Sequence, residues 1–253
     1  MSSSISEVII RLTEIVDKTI AENNRAGYFA ALYRKVTMMI AEKIKAGYFD
    51  DNIRMEKLDV VFANRYLDAW DCNNAGSPCS SSWQLAFDTC KNWQPMVMHH
   101  LLCGMNAHIS LDLGIAAAVV CPGDQIETIH NDFNKINALL SDLVAGVKAD
   151  LYSMWPLSKL ISKLHTDKLE NDIAGFSMNI ARDAAWQVAL AYAACTNGDA
   201  QQNYITERDK AVTAFGNQLL QPGKFIQAVT AVFRVFEFGT VAGKVKRLGN
   251  KKY

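Results

Sequence analysis

The chain has 253 residues, half of them hydrophobic and 21% charged, a balance that suits a folded globular protein and excludes a disordered one. Lysine plus arginine equals aspartate plus glutamate at 26 each, so no broad basic surface marks a nucleic-acid binder. The basic cluster at the end, Lys244, Lys246, Arg247, Lys251 and Lys252, is expected to be a solvated, flexible tail over about 244–253.

The opening MSSSISEVIIRL lacks the basic, apolar and small-residue succession of a secretory leader. Ser4 followed by Glu7 instead predicts a capping box opening a helix from about Ile5 to Ala21. Gly27 precedes a second helix, about Tyr28 to Ala46, with Phe29, Leu32, Val36, Met39 and Ile40 on its inner stripe and Gly47 ending it. In a third, about Met55 to Cys72, the line Met55, Leu58, Phe62, Arg65, Ala69 puts an arginine where an apolar residue belongs, with Asp68 as its nearest partner. CNNAGSPCSSS is a loop, and a short helix with Trp83, Leu85, Ala86 and Phe87 follows it.

Met96 to Val120, MVMHHLLCGMNAHISLDLGIAAAVV, is apolar all round and predicts a buried central helix. Its longest uninterrupted apolar run, Leu113 to Cys121, is too short for a membrane span. After the turn Cys121-Pro-Gly-Asp124 comes a helix over about Ile126 to Leu151, packed antiparallel on the central one. Trp155-Pro156 breaks the pattern, and a short helix reaches about His165. Helices over about Leu169 to Cys195, Asp199 to Leu220 and Gly223 to Val241 complete the chain. Residues 1–253 thus read as a single all-α domain, a bundle of roughly eight to ten helices around the central one.

Four residues apart along the central helix stand His100, Gly104, His108 and Asp112, one line on one face. Buried polar groups must be paired or bound to something. Imidazole and carboxylate at this spacing suit a divalent ion such as zinc, iron or manganese, with His100, His108, Asp112 and His130 as ligands. Equally, His108 and Asp112 suit direct acid–base work, or a core network in which His108 bridges Asp112 and a neighbouring helix. His130 and Asp132, on the next helix, would come near His108 and Asp112 as further ligands or a general base. His99 points elsewhere, and Asn106 and Ser110 serve hydrogen bonds between helices. Arg65 and Arg182 are further candidates for holding a carboxylate or phosphate, with Tyr28, Tyr33 and Tyr66 as hydroxyl donors.

No P-loop, dinucleotide fingerprint, HExxH or GxSxG elbow is present, and the single ExxH, Glu127 to His130, falls short of a di-iron bundle. Six cysteines without CxxC spacing argue against a zinc ribbon and read as reduced thiols of a cytoplasmic protein.

GYFAALYRKVT, FANRYLDAW, HHLLCGMNAHISLDLG, HNDFNKIN and ARDAAWQVA together resemble an uncharacterised bacterial family known as a domain of unknown function. The HxxxD of His108 and Asp112 is also distantly similar to that of the helical zinc-dependent phospholipase C and P1-type nuclease enzymes. Those enzymes add an HxxxE helix that this chain lacks. The expectation is an enzyme acting on a small or lipid-like molecule, with hydrolysis of an ester or phosphoester the first reaction to test. A helical binding protein, or a cyclase, enclosing an apolar lipid or isoprenoid is the alternative.

Overall fold

Ser4 opens the first helix as expected, accepting a hydrogen bond from the Glu7 backbone N–H through its side chain. The reciprocal half of the box is displaced by one residue, because the Glu7 carboxylate takes the N–H and hydroxyl of Ser3. The computed structural model describes residues 1–136, 139–140, 178–221, 234 and 237–250, with only the backbone path for 178–180. All regular elements among the described residues are helical.

Helix α1 (Ile5–Ala21) packs on α2 (Gly27–Lys45) through the stripe Val8, Leu12, Ile15 and Val16. Helix α3 (Asn52–Asn74) lies across both. The short α4 (Ser81–Lys91) is fixed at its start twice over. Ser80 caps it from within, and Asp209 accepts the N–H groups of Ser81 and Ser82 from outside.

The central rod runs unbroken from Val97 to Val120, but not as one α-helix. It consists of α5 (Val97–Ala107), a π-helical stretch (His108–Leu113) and α6 (Gly114–Val120). This is the described helix long and apolar enough to cross a bilayer, and 83% of its most apolar window is buried inside the protein. Alanines 107, 116 and 117 are at 0% exposure, which allows close approach of neighbours. Nearest is α7 (Met178–Ala193), where a Cβ added to Gly114 would stand 2.4 Å from the Ala185 carbonyl oxygen. Helix α8 (Gly198–Leu220) covers α4 and α5.

Two expectations need correction. The helix after the Pro122-Gly123 turn begins as a 3-10 segment, Gly123–Ile129, and continues as α-helix over 130–136. The described part of the basic tail, to residue 250, is not free. Residues Val241–Gly249 form α9, with Lys244, Val245 and Leu248 buried and Val245 reaching the start of α2 at Gly27. Lys244 is drawn in by Glu237, its ammonium 3.0 Å from the carboxylate. Val245 and Leu248 supply apolar positions three apart, which a count of charges overlooks. The remainder of the helix expected to about Leu151, the Trp155-Pro156 break, the short helix to His165, the start of the Leu169 helix, most of the Gly223 helix and residues 251–253 lie outside the described residues.

Candidate functional site

The line of residues on the central helix does face one side, towards α2 and α3. Its members are not all neighbours of one another. His100 lies against the Tyr28 ring at 5.6 Å, and Gly104 against Phe29. The space opposite Gly104 is filled: a Cβ there would come 2.5 Å from the Phe29 ring. His108 and Asp112 lie further along, in the π-helical stretch, where π turns inside α-helices often mark functional sites.

Asp112, 1% exposed, is the anchor. Its Oδ1 accepts from Arg65 Nε at 2.7 Å and its Oδ2 from the Trp83 indole N–H at 2.8 Å. Arg65 therefore turns to the central helix rather than to Asp68, because a shielded carboxylate is the stronger partner for a guanidinium. Burial pushes the Asp112 carboxyl up, but Arg65, His108 and Trp83 outweigh it and hold the group below its ordinary range. It is a carboxylate.

His108 Nδ1 stands 3.5 Å from Asp112 Oδ2, and neither ring nitrogen has a hydrogen-bond partner. Burial holds this imidazole below its ordinary pKa, with Asp112 pulling the other way, so it is neutral. Aromatic rings enclose it. Phe62 stacks on it at 3.6 Å and 8°, Tyr33 meets it edge-on at 4.4 Å, and Phe29, Trp83 and Tyr66 follow at 5.7, 5.9 and 6.2 Å. The Tyr33 and Tyr66 hydroxyls are shielded and unpartnered, and burial drives both pKa values up. The result is an aromatic box holding a neutral imidazole, an ionised carboxylate and two neutral phenols.

The other expected ligands go elsewhere. Asp132 is buried, but its oxygens take the N–H groups of Asp50 and Asp51 at 2.7 and 3.0 Å and pair with Arg54 and Lys135. It organises the turn before α3, which corrects its assignment as ligand or base. His130 stacks on Trp186 at 4.3 Å, with Asn134 Nδ2 3.1 Å from its Nε2. Arg182 donates to the Phe133 carbonyl at 2.6 Å and lies over that ring, a helix-to-helix tie. His99 accepts the Met96 N–H at the start of α5, and Asn106 donates to the Val212 carbonyl. Among the described residues no three His, Cys, Asp or Glu side chains gather as a ligand set. His100, His108, Asp112 and His130 therefore do not surround one ion.

Two contributors to the box, Trp83 and Phe62, were missed in the sequence, as was the buried Asp59 on α3. The first two look like core residues. Asp59 interrupts the inner face of α3 just as Arg65 does, and that break was the available signal.

A family model described as a family of unknown function (DUF5995) matches residues 5–222. The chain belongs to the DUF5995 family. All side chains of the box lie within the matched span of this DUF5995 protein, whereas α9 lies beyond it. No curated protein and no solved structure matches the chain.

Proposed function

We propose that this DUF5995 protein is an acid–base enzyme in which His108, oriented by Asp112, activates water against an ester or phosphoester of a small or lipid-like molecule. One observation carries the reading. Both Asp112 oxygens are held by donors on two other helices, while the neighbouring imidazole has Nδ1 3.5 Å from Oδ2 and Nε2 without a hydrogen-bond partner. A carboxylate so fixed favours the tautomer with Nδ1 protonated, which leaves Nε2 as the base. Arg65 and Trp83 keep Asp112 ionised and in place. The rings of Phe29, Phe62 and Tyr66 surround the imidazole and would contact an apolar substrate body.

A divalent metal is the variant of this reading with less support. One imidazole and one carboxylate already accepting two hydrogen bonds make a poor donor set for an ion. The deciding experiment measures hydrolysis of p-nitrophenyl acetate and p-nitrophenyl phosphate by the wild type, His108→Gln and Asp112→Asn. Loss of roughly 10²–10⁴-fold in kcat for His108→Gln supports the base. Equal rates in wild type and His108→Gln remove it.

The five rings around His108 also suit a binding protein for an apolar ligand. If such a ligand co-purifies and stays bound in His108→Gln, that second reading gains.

A further inference from the structure

One carboxyl group on α3 has no cationic partner among the described residues. Asp59 precedes Phe62, Ala63 and Tyr66 on α3 by three, four and seven residues, the spacing that sets all four on one helix face. That face meets the active imidazole, with Phe62 stacked on His108 and the Tyr66 ring 6.2 Å from it. Asp59 is 9% exposed, and its Oδ2 is shielded without a hydrogen-bond partner. From α2, Tyr33 brings a shielded hydroxyl that is also unpartnered. The place of Asp59 on α3, one turn before Phe62, sets the carboxyl on the face that borders the box.

We propose that Asp59 is the proton donor of this site, a neutral carboxyl that protonates the leaving oxygen while His108 accepts a proton from water. The inference rests on the acid–base reading above. Its basis is contrast: Asp112 has a guanidinium and an indole N–H, whereas the charged group facing Asp59 is Glu56, one turn back on α3. Burial, with a smaller push from Glu56, raises the Asp59 pKa to about 7. Two carboxyls whose surroundings separate them in this way divide into an acid and a base-side group.

The step balances without any further reactant. Water gives a proton to His108 Nε2, and its oxygen bonds to the acyl carbon. The ester C–O bond breaks, and the departing oxygen takes the Asp59 proton with the bonding electron pair. Carboxylic acid and alcohol leave, and the proton on His108 returns to Asp59 through solvent. Arg65 is already committed to Asp112, so the box presents a neutral acid rather than a free cation to the leaving group. A neutral carboxylic ester with an alcohol leaving group fits this better than a phosphomonoester dianion.

Two measurements on the full chain test it. The first is infrared spectroscopy of wild-type protein carrying isotope-labelled aspartate, with Asp59→Asn as reference. A protonated carboxyl band should be present at about pH 5, disappear around neutrality, and be missing from the variant. The second compares benzyl acetate, whose alcohol needs a proton to leave, with p-nitrophenyl acetate, whose phenolate does not. Asp59→Asn should slow the first about 100-fold more than the second. Equal slowing of both esters means a structural role and overturns the proposal, as does absence of the band in labelled wild type. Wild type that hydrolyses neither ester overturns the acid–base reading beneath it, and with it the role of Asp59. Turnover without leaving-group dependence refutes Asp59 alone.

Discussion

Arg65→Met tests the anchor of the site. Methionine keeps much of the stem and removes the guanidinium, so Asp112 loses its 2.7 Å ion pair and keeps the Trp83 N–H. Removing one partner of a buried pair costs about 3–5 kcal/mol. Asp112's side chain is 2% exposed, but Arg65's is 29% exposed, so water recovers part of the loss. We therefore expect about 3 kcal/mol at neutral pH, or roughly 6–12 °C in Tm for a chain of this size. In the wild type the depressed Asp112 pKa contributes stability that is present above the unfolded value and lost as pH falls through the folded one. Without Arg65, burial dominates and the carboxyl takes up a proton on folding, so acid relieves the variant. Urea unfolding at neutral pH and near pH 4 should show the gap between wild type and variant narrowing. The double variant Arg65→Met, Asp112→Leu, which removes both charges, should be less destabilised than Arg65→Met alone. A gap under about 1 kcal/mol, or one that ignores pH, would refute the buried pair as the anchor.

Other expectations follow the same logic. His100, pulled down to about 3 mainly by burial, stays neutral when folded. Its contribution is complete above the ordinary histidine value of about 6.5 and falls by about 1.4 kcal/mol per pH unit below it. Relative to His100→Leu, the wild type should thus lose about 2.7 kcal/mol between pH 7 and about pH 4.5 in urea melts. For hydrolysis, the acid limb of kcat/KM should lie below the usual histidine range, and Asp112→Asn should move it further down, because Asp112 favours the charged imidazole. Gly114→Ala places a methyl 2.4 Å from the Ala185 carbonyl, a backbone atom that cannot swing aside, so a loss on the order of 3 kcal/mol is expected from thermal melts. Val245→Ala should cost about 2 kcal/mol, against almost nothing for exposed Lys246→Ala, if α9 is packed.

The sequence made the helices legible because several carry their own punctuation. Ser4 with Glu7 stands at the start of α1 and Gly47 just beyond the end of α2, and apolar spacing did the rest. His108 and Asp112 were legible as polar interruptions of an apolar rod. What one chain direction could not convey was the partner across the gap. Arg65 finds Asp112, 47 positions away, while Asp68 on its own helix goes without it. Trp83 becomes an anchor only because Asp209, 127 residues beyond Ser82, fixes the start of α4. Asp132 read as a ligand for the converse reason, since its partners are backbone N–H groups, which a sequence does not spell.

The π-helical stretch at His108–Leu113 has a consequence for register. A wide turn of this kind accommodates one more residue than regular α-helix would over the same length. Deleting one residue among 109–111 would let the rod return to ordinary α geometry. Such a deletion would leave α6 nearly in its present phase against α5, because the residue removed is the one the wide turn absorbs. Deleting one residue from the regular α5 instead would rotate the rod beyond it by about 100°, the angle of one residue, and Asp112 would swing away from Arg65 and Trp83 although no side chain of the site had been replaced. The alignment of imidazole and carboxylate is thus a matter of phase along the rod as much as of the residues that occupy it.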